Sequence, residues 1–433
     1  MLPLATAIPF VALLLAIAAM PLAAPRWWQH NRNKAVLVAL VSAPILVYLG
    51  IRSPQHLAEK AQEYVSFIIV IGALFVITGG IHIRGSLAGT PLVNTGMLGI
   101  GAVLANVLGT TGASVLLIRP LLRANKRRKR VAHIVIFFIF IVANCGGLLT
   151  PIGDPPLLLG FFRGVPFFWT LRLWAQWLFV NAVLLVIFNV WDQVALNRDE
   201  KELPGSQHEQ VLTHERLRIE GAVEMLVLLG VIVTIVAAGR AAAMGRPWEP
   251  NVRELMIVVL ALIGYFAGSR ERRARNVFTF DPLIEVAVLF AGIFATMAPV
   301  LELLNTWAHR PDFALRTPAQ FFWASGTLSS VLDNAPTYLA FTAAAAGLQN
   351  LPPHGPYIGA LALDPAAAKL LAAISTGSVF MGANTYIGNA PNFMVKAIAE
   401  ENGVKMPSFL GYMVYSVGIL VPLFVLVSVV FFG

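Results

Sequence analysis

Long apolar stretches limit what this chain can fold into. Ten of them can cross a bilayer, because a helix of about 20 apolar residues spans its hydrocarbon core. Only 12% of the 433 residues are charged, about half the share in a soluble protein. A membrane β-barrel would instead alternate polar and apolar residues. The sequence therefore predicts an all-α polytopic membrane protein. The predicted spans are about 4–24, 35–51, 65–83, 132–149, 166–191, 219–239, 252–268, 282–304, 366–383 and 409–432.

Lys and Arg residues cluster between these stretches. Residues 119–130 hold seven of them and 269–276 hold four, whereas 350–365 holds none. Because cytoplasmic loops of membrane proteins are enriched in Lys and Arg, the clusters predict the cytoplasmic face. We expect a multi-pass protein of the cell inner membrane with both termini outside. The net charge of +9 is then a topology signal, with the lipid bilayer rather than nucleic acid as the partner.

Two further apolar segments, about 91–118 and 319–348, are interrupted by Gly, Asn, Pro and Thr. When crossings are counted from the basic clusters, both ends of each segment fall on one face. Each is therefore predicted to be a re-entrant hairpin, and the two enter from opposite faces. Irregular backbone at this depth is tolerated only where it is buried in protein or lines a cavity.

The two halves of the chain share sequence motifs. Residues 147–156 read GLLTPIGDPP and 382–391 read GANTYIGNAP, which share the pattern G-x-x-T-x-I-G-[D/N]-x-P. Upstream, NVLGTTGAS at 106–114 aligns with SVLDNAPTY at 330–338. These blocks occur in the same order, and they predict an inverted-topology repeat with broken helices at the midplane. Such repeats are typical of secondary transporters, whose substrate and ion sites lie where the discontinuous helices meet.

Each half is predicted to hold five transmembrane helices, one of them broken, and one hairpin. A polar cytoplasmic linker joins the halves. The predicted bounds are 1–191 for the first repeat, with its hairpin at about 91–118 and its broken helix at about 132–163; 192–218 for the linker; and 219–433 for the second repeat, with its hairpin at about 319–348 and its broken helix at about 366–398.

Two acids lie inside otherwise apolar segments: Asp154 in the first broken helix and Asp333 in the second hairpin. A charged side chain at the bilayer centre costs on the order of 3 kcal/mol, so it persists where it is paired, hydrated or functional. Oxygen ligands suit a hard cation, and the two carboxylates are candidate sodium ligands. The alternative is that acids and amides here cap half-helices. The other candidate ion- or substrate-binding residues are Thr110, Thr111, Asn144, Thr150, Gly153, Asn334, Asn384, Thr385, Gly388 and Asn389.

The sequence lacks Walker A, Rossmann and zinc motifs, so an ATP-driven pump and a redox enzyme lose support. No resident cofactor is predicted; sodium ions or protons are the transported or coupling ions. An intramembrane aspartyl protease would need two Asp residues on two helices, but neither Asp lies in a G-x-G-D context. We therefore expect a secondary active transporter rather than an enzyme.

The motifs SSVLDNAPT and GGLLTPIGDPP resemble those of the ion-transporter superfamily, most closely its NhaD-type sodium/proton antiporters. That resemblance rests on Asp333, Asn334, Pro336, Gly146, Gly147, Pro151, Ile152, Gly153 and Asp154. It implies a fold of hairpins and broken helices and an ion-coupled transporter, and members are commonly homodimers. Similar chains are also grouped with citrate transporters. Dicarboxylate members usually carry Ser-Asn-Thr at both hairpin tips, whereas these tips read GTTG and LDNAP.

Two functions stay open at this point. One is sodium/proton antiport, in which the two ions compete for Asp154 and Asp333. The other is cation-coupled uptake of citrate or another anion. The acidic site favours antiport, whereas the family grouping and the basic Arg163, nine residues after Asp154, favour uptake. Arg163 could attract an anion, but the preferred interpretation is an interfacial anchor near the outer face.

Overall fold

Helices account for most of the structure, as the apolar stretches predict. The structure, a computed structural model, describes residues 3–202 and 215–433. The helices before the linker are α1 (Ile8–Ala23), α2 (Pro25–Trp28), α3 (Asn31–Arg52), α4 (Pro54–Thr78), α5 (Pro91–Ala124), α6 (Ala132–Ile141), α7 (Pro155–Phe162) and α8 (Trp174–Glu202). Those after it are α9 (Ala222–Ala243), α10 (Val252–Phe266), α11 (Arg270–Arg275), α12 (Asp281–Ala308), α13 (Pro318–Ser329), α14 (Asn334–Leu348), α15 (Tyr357–Leu363), α16 (Pro365–Met381), α17 (Ala390–Glu401) and α18 (Phe409–Val427).

Ten helical segments of the described chain are long and apolar enough to cross a membrane. The predicted class, an all-α polytopic membrane protein, is confirmed. The ten differ from the predicted spans at two places. The set includes α5, which the crossing count makes a hairpin, and it leaves out α10, whose 15 residues extend only about 22 Å.

The segment α5 is a hairpin rather than a straight helix. Gly109, with φ 75° and ψ 156°, interrupts it, and this positive φ is readily adopted only by glycine. Asn94 near its start and Asn125 just beyond its end exchange two side-chain hydrogen bonds of 3.0 and 2.8 Å. In a straight helix these residues would lie about 46 Å apart, so the chain reverses at Gly109, as predicted.

The second hairpin consists of α13 and α14, joined by residues 330–333. The rings of Phe321 and Phe341 lie 6.4 Å apart, centroid to centroid. In a straight helix they would be separated by about 30 Å. The two arms therefore run back along each other, which is the arrangement that the second interrupted segment predicts.

The two broken helices have matching backbones. The first runs from α6 through a 3-10 turn at Cys145–Leu149 to α7, and the second from α16 through Gly382–Asn384 to α17. Asp154 has φ −148° and ψ 146°, and Asn389 has φ −153° and ψ 139°. The shared motif therefore corresponds to a shared local structure.

The broken helices lie in the middle of the fold. In the span that includes α6, Ala132–Leu149, 89% of the residues are buried inside the protein, against 17% for Leu4–Pro21 at the N-terminus. The peripheral helices present their apolar side chains outward, where lipid would cover them. Breaks in helical hydrogen bonding are thus confined to the region that other protein segments enclose.

Only the ends of the predicted linker, 192–218, can be compared with the structure. Its first residues continue α8 to Glu202, and β2 (Glu215–Glu220) pairs antiparallel with β1 (His82–Ser86). The helix extends beyond the apolar stretch because its acids form ion pairs with Arg128, Lys129 and Arg130. Residues 203–214 lie outside the described residues.

Ion pairs join helices that are far apart in the sequence, and each pair links residues that the crossing count places on the same face. On the basic face, defined here as the face of residues 119–130 and 269–276, Arg272 contacts Glu224 at 2.5 Å and Lys34 contacts Glu285 at 2.7 Å. On the opposite face, Arg163 contacts Glu63 at 3.0 Å. The three-dimensional contacts agree with the counted crossings.

Candidate functional site

The two hairpins and the two broken helices are together called the four interrupted segments. All four meet at the buried carboxylate of Asp154. Asp154 is the first residue before α7. Its Oδ1 accepts hydrogen bonds from the Thr110 hydroxyl at 2.8 Å and the Asn389 side-chain amide at 3.3 Å. Its Oδ2 accepts a short one from the Asn334 side-chain amide. The donors come from the first hairpin, the second broken helix and the second hairpin.

The hairpin break and the helix break are fitted to each other by backbone contacts. The chain turns at Gly109, and the next backbone N–H, of Thr110, donates to Gly153 O at 2.8 Å. A Cβ on Gly153 would lie 2.2 Å from Gly147 O, which no side chain could avoid. Glycine at 153 therefore lets the helix break fold tightly on itself. A Cβ on Gly147 would in turn lie 2.6 Å from Thr110 Cγ2, so glycine at 147 leaves room for Thr110 beside the break.

Thr150 and Thr385 make the same contact in the two halves. The Thr150 hydroxyl donates to Asn106 O at 2.5 Å, and the Thr385 hydroxyl donates to Ser330 O at 2.6 Å. Each bond ties a helix break to the hairpin of its own half. These two candidate residues therefore support the site, and among the described residues neither donates a hydrogen bond to Asp154.

A short chain of amides continues from the carboxylate into the second half. The Asn144 Oδ1 accepts from Asn389 at 3.2 Å, and the Asn144 amide donates to Asn392 Oδ1 at 2.7 Å. Asn392 in turn donates to the carbonyl oxygens of Gly382 and Thr385 at the second break. These contacts fix the orientation of Asn389, so its amide N–H points at Asp154.

Asp333 has a different environment from Asp154. Its Oδ1 accepts the backbone N–H of Ala335 at 3.0 Å, which makes it the N-cap of α14. The side chain is only partly buried, and its neighbour Asn334 provides the contact with Asp154. The structure thus places Asp333 beside the site, in the capping role that was the alternative interpretation of these acids.

The remaining candidates lie around this centre. Asn384 donates to the Ser330 hydroxyl at 2.9 Å. Thr111 lines a small cavity next to Asp154, and Gly388 packs against the carbonyl oxygens of Gly382 and Ser329. These residues form the surroundings of the site, whereas the hydrogen bonds to the carboxylate come from other residues.

Sequence reasoning missed Asn106 and Asn392, both buried. Asn106 donates to Gly146 O at 2.7 Å and accepts the Leu149 N–H at 2.8 Å. The available signal was an amide inside an apolar stretch: Asn106 starts the aligned block of the first hairpin, and Asn392 directly follows the second helix-break motif.

The charge of Asp154 is not balanced by a basic side chain. Its hydrogen-bond donors in the described chain are neutral, and the salt bridges of the described residues do not include it. The side-chain oxygen of Asn334 is also buried without a hydrogen-bond partner among the described residues. A buried carboxylate without a counter-charge is stable when it takes up a proton or a cation, and unpaired oxygens are ligands for hard cations.

A model of the protein family described as "Putative citrate transport" matches residues 1–432. The chain belongs to that family. It is a membrane transporter, as the apolar helices and the interrupted segments indicate. No curated protein matches the chain.

Family membership makes Arg163 relevant, because citrate is an anion. Arg163 was predicted to be an interfacial anchor that could attract an anion. It is instead buried and already paired: its guanidinium donates to Glu63 Oε2 and to the Tyr357 hydroxyl, each at 3.0 Å. The guanidinium lies beyond the far end of α7 from Asp154. In this conformation Arg163 is a structural residue and not part of an anion site.

The cavity beside Asp154 has a volume of about 50 Å³. Its walls combine Thr110 and Gly153 with apolar side chains of α4. Pockets for larger organic ligands run from about 300 Å³, whereas a cavity of about 10–15 Å³ already holds a water molecule. The space is suited to a small cation with a few waters, and is too small for citrate.

Proposed function

We propose that this transporter exchanges sodium ions for protons at the carboxylate of Asp154. The observation that carries the proposal is the convergence of the four interrupted segments on one buried carboxylate whose charge no basic side chain balances. Thr110 and Asn389 hold Oδ1 in place, and Asn334 holds Oδ2. The side-chain oxygens of Asn334 and Thr110 add neutral ligands for a cation.

Competition for the site is sufficient for exchange. When the site is empty, Asp154 is a buried unpaired charge, which is costly. A proton or a sodium ion removes that cost, but both cannot occupy the carboxylate at once. As access alternates between the faces, sodium leaves on one side and protons return from the other. Inverted repeats provide such alternation by moving one part against another around a fixed site.

Asp333 is included as a second carboxylate at the rim of this site. It is less buried than Asp154 and lies at the tip of the second hairpin. A negative charge there attracts cations toward the cavity and stabilises a bound one. This role is compatible with its cap of α14, because the cap uses only Oδ1.

Cation-coupled uptake of citrate is the second candidate, and the family match favours it. In that case Asp154 would bind the coupling cation, and citrate would need a larger space than the 50 Å³ beside it. That space would have to open in another conformation. Antiport requires no such enlargement, and for this reason we place it first.

The two functions are separated by transport in liposomes that contain the purified protein. A pH-sensitive dye reports proton movement driven by a sodium gradient, and labelled citrate reports uptake. Antiport predicts sodium-driven proton movement that Asp154→Asn abolishes, with no citrate uptake. Sodium-dependent citrate uptake would establish the second candidate, and absence of both activities in inserted protein would refute both.

We also propose that the basic face is cytoplasmic, with both termini outside. Lys126 and Pro352 are exposed on the two faces. Lys126→Cys should therefore react only with reagents on the cytoplasmic side, and Pro352→Cys only with external ones. The native Cys145 is buried and gives little background. Labelling of both positions from one side would contradict the inverted repeat.

A further inference from the structure

A second and larger cavity, of about 590 Å³, opens on the basic face. It lies between the end of α5, the start of α6, the C-terminal part of α8 and the loop that contains Lys405. The cavity and Asp154 are at opposite ends of α6. It is thus separate from the candidate ion site, and the ion proposal does not use it.

The lining of this basic pocket is strongly positive. In the part of the chain that the structure describes, seven Lys and Arg residues line it and no acid does. Arg128, Lys129 and Arg130 are paired with acids of α8 that do not line the pocket. Those acids leave the charges of the other four residues unbalanced: Arg123, Lys126, Arg198 and Lys405.

The unbalanced side chains are available to a ligand. Lys126, Arg198 and Lys405 are exposed, and they form no ion pair with the described residues. The wall behind them is rigid, because Arg128 is almost fully buried and contacts Asp192 at 2.6 Å. The pocket therefore combines a fixed wall with exposed cationic side chains.

The start of α6 adds to the positive potential. This helix has ten residues, its first turn lines the pocket, and no side chain caps it at Val131. The N–H groups of an uncapped first turn and the positive end of the helix dipole favour an anion. Phosphate is commonly bound by such a combination of backbone N–H groups and basic side chains.

The pocket lies at the level where lipid headgroups would be. Trp191 and Tyr415, whose rings lie 5.8 Å apart, form part of its wall, and such aromatic residues concentrate at the membrane–water interface. On α8 the residues before Trp191 are apolar apart from Asn189, and Asp192 follows it. Val190 and Val194 are exposed on this helix, so an apolar surface leads from the hydrocarbon region to the pocket.

We propose that this basic pocket binds the phosphate headgroup of an anionic phospholipid, with its acyl chains along the exposed apolar side of α8. A free multivalent anion would match the charges, but it would not use Trp191, Val190 and Val194. Basic pockets between transmembrane helices on the cytoplasmic side are suited to anionic headgroups. The bound lipid would join the ends of α5, α6 and α8 at the basic face.

The test compares thermal unfolding of the purified full chain in neutral detergent. Short-chain phosphatidylglycerol is titrated in, with phosphatidylcholine of the same chain length as the uncharged comparison. We expect phosphatidylglycerol alone to raise the unfolding temperature, because a ligand that binds the folded state stabilises it. High salt should weaken the effect.

A triple variant, Lys126→Gln, Arg198→Gln and Lys405→Gln, should bind the lipid about a hundredfold more weakly, at about fivefold per residue. The matched control neutralises Arg26, Arg32 and Arg270, which are exposed and lie outside the pocket. It should respond like the wild type. Unfolding without lipid checks that each variant is folded, and the single Lys405→Gln variant replaces the triple if it is not.

Two results would overturn the proposal. If the pocket variant keeps the wild-type response to phosphatidylglycerol, the lipid binds elsewhere. If inorganic phosphate or citrate, at matched ionic strength, stabilises the wild type as well as the lipid does, the pocket is a site for free anions. A response to phosphatidylglycerol that only the pocket variant loses supports the lipid site.

Discussion

The two broken helices have nearly the same backbone but different chemistry at one position. Asp154 and Asn389 occupy equivalent places with closely similar torsion angles. Thr150 and Thr385 make equivalent bonds to their hairpins. Only the first half, however, has a carboxylate at this position, and Asn389 of the second half donates to it. The repeat determines the shape of the site, whereas the departure from the repeat determines its charge.

The hairpin tips show the same division. Thr110 and Asn334 are aligned in the repeat, and both donate to Asp154. The first half therefore contributes the acid and one hydroxyl, and the second half contributes two amides. A site built in this way needs both halves in contact, so a movement between the halves would change the ligands around the carboxylate.

The largest effect is expected from Asp154→Asn. The amide keeps the size of the side chain but cannot take up a proton or balance a sodium ion. Sodium-driven proton movement in liposomes should fall to background, while the protein stays inserted and monodisperse in gel filtration.

The double variant Asp154→Asn with Asn389→Asp tests the equivalence of the halves directly. It moves the carboxylate to the matching position of the second half. Partial recovery of sodium-driven proton movement, relative to Asp154→Asn alone, is expected if local geometry is what matters. No recovery would mean that the environment of the first half is needed as well.

Sodium affinity should weaken as pH falls. Protons and sodium compete for one carboxylate, so the apparent affinity should fall by up to about tenfold per pH unit where the protonated form prevails. Calorimetry on the purified protein between about pH 6 and pH 9 measures this dependence. A flat profile would exclude competition at a shared carboxylate and would make anion uptake the leading function.

Asp333→Asn should have a smaller effect than Asp154→Asn. Asparagine caps a helix as well as aspartate does, so α14 should remain intact while the charge at the rim is lost. We expect slower exchange or an altered sodium-to-proton ratio. Asp364→Asn is the matched control. Asp364 also caps a helix, α16, through Ala366 and Ala367, but it lies on the face opposite the basic face and not at a hairpin tip. Equal behaviour of the two variants would show that Asp333 is only a cap.

The smallest effects are expected from Thr150→Val and Thr385→Val. Each variant removes one hydroxyl that bonds to a hairpin carbonyl, at a cost of about 1 kcal/mol of stability. Thermal unfolding in detergent should show similar losses for the two. A loss in only one half would mean that the geometric equivalence of these bonds does not extend to their energies.

Much of the fold could be predicted from the sequence, because hydrophobic length and the distribution of basic residues act over short ranges. The reversal at Gly109 and the break before Asp154 follow from such local signals. The extension of α8 to Glu202 did not follow, because it depends on ion pairs with Arg128, Lys129 and Arg130, which are distant in sequence.

The site was predicted only in part, because its residues carry local sequence signals but its contacts join distant positions. The motif identified Asp154, Asn334 and Asn389 as candidates, but it could not give their mutual contacts, which join residues 180 and 235 positions apart. Asn392 resembled an ordinary polar residue in a helix, and only the fold brings it to Asn144. Arg163 was predicted to lie at the interface. Its burial could not be predicted, because its partner Glu63 is a hundred positions away in the sequence.

The helix α7 connects the candidate site at Asp154 with an anchored residue, Arg163. One end of this eight-residue helix is clamped at Arg163, by the ion pair with Glu63 and by the bond from Gly359 N–H to Arg163 O at 2.9 Å. Arg163 is buried in this pair, and Glu63 is partly buried. The other end carries Asp154, about 12 Å away. Because Arg163 is anchored, a movement of α7 would turn about that end and change the contacts of Asp154 with Thr110, Asn334 and Asn389.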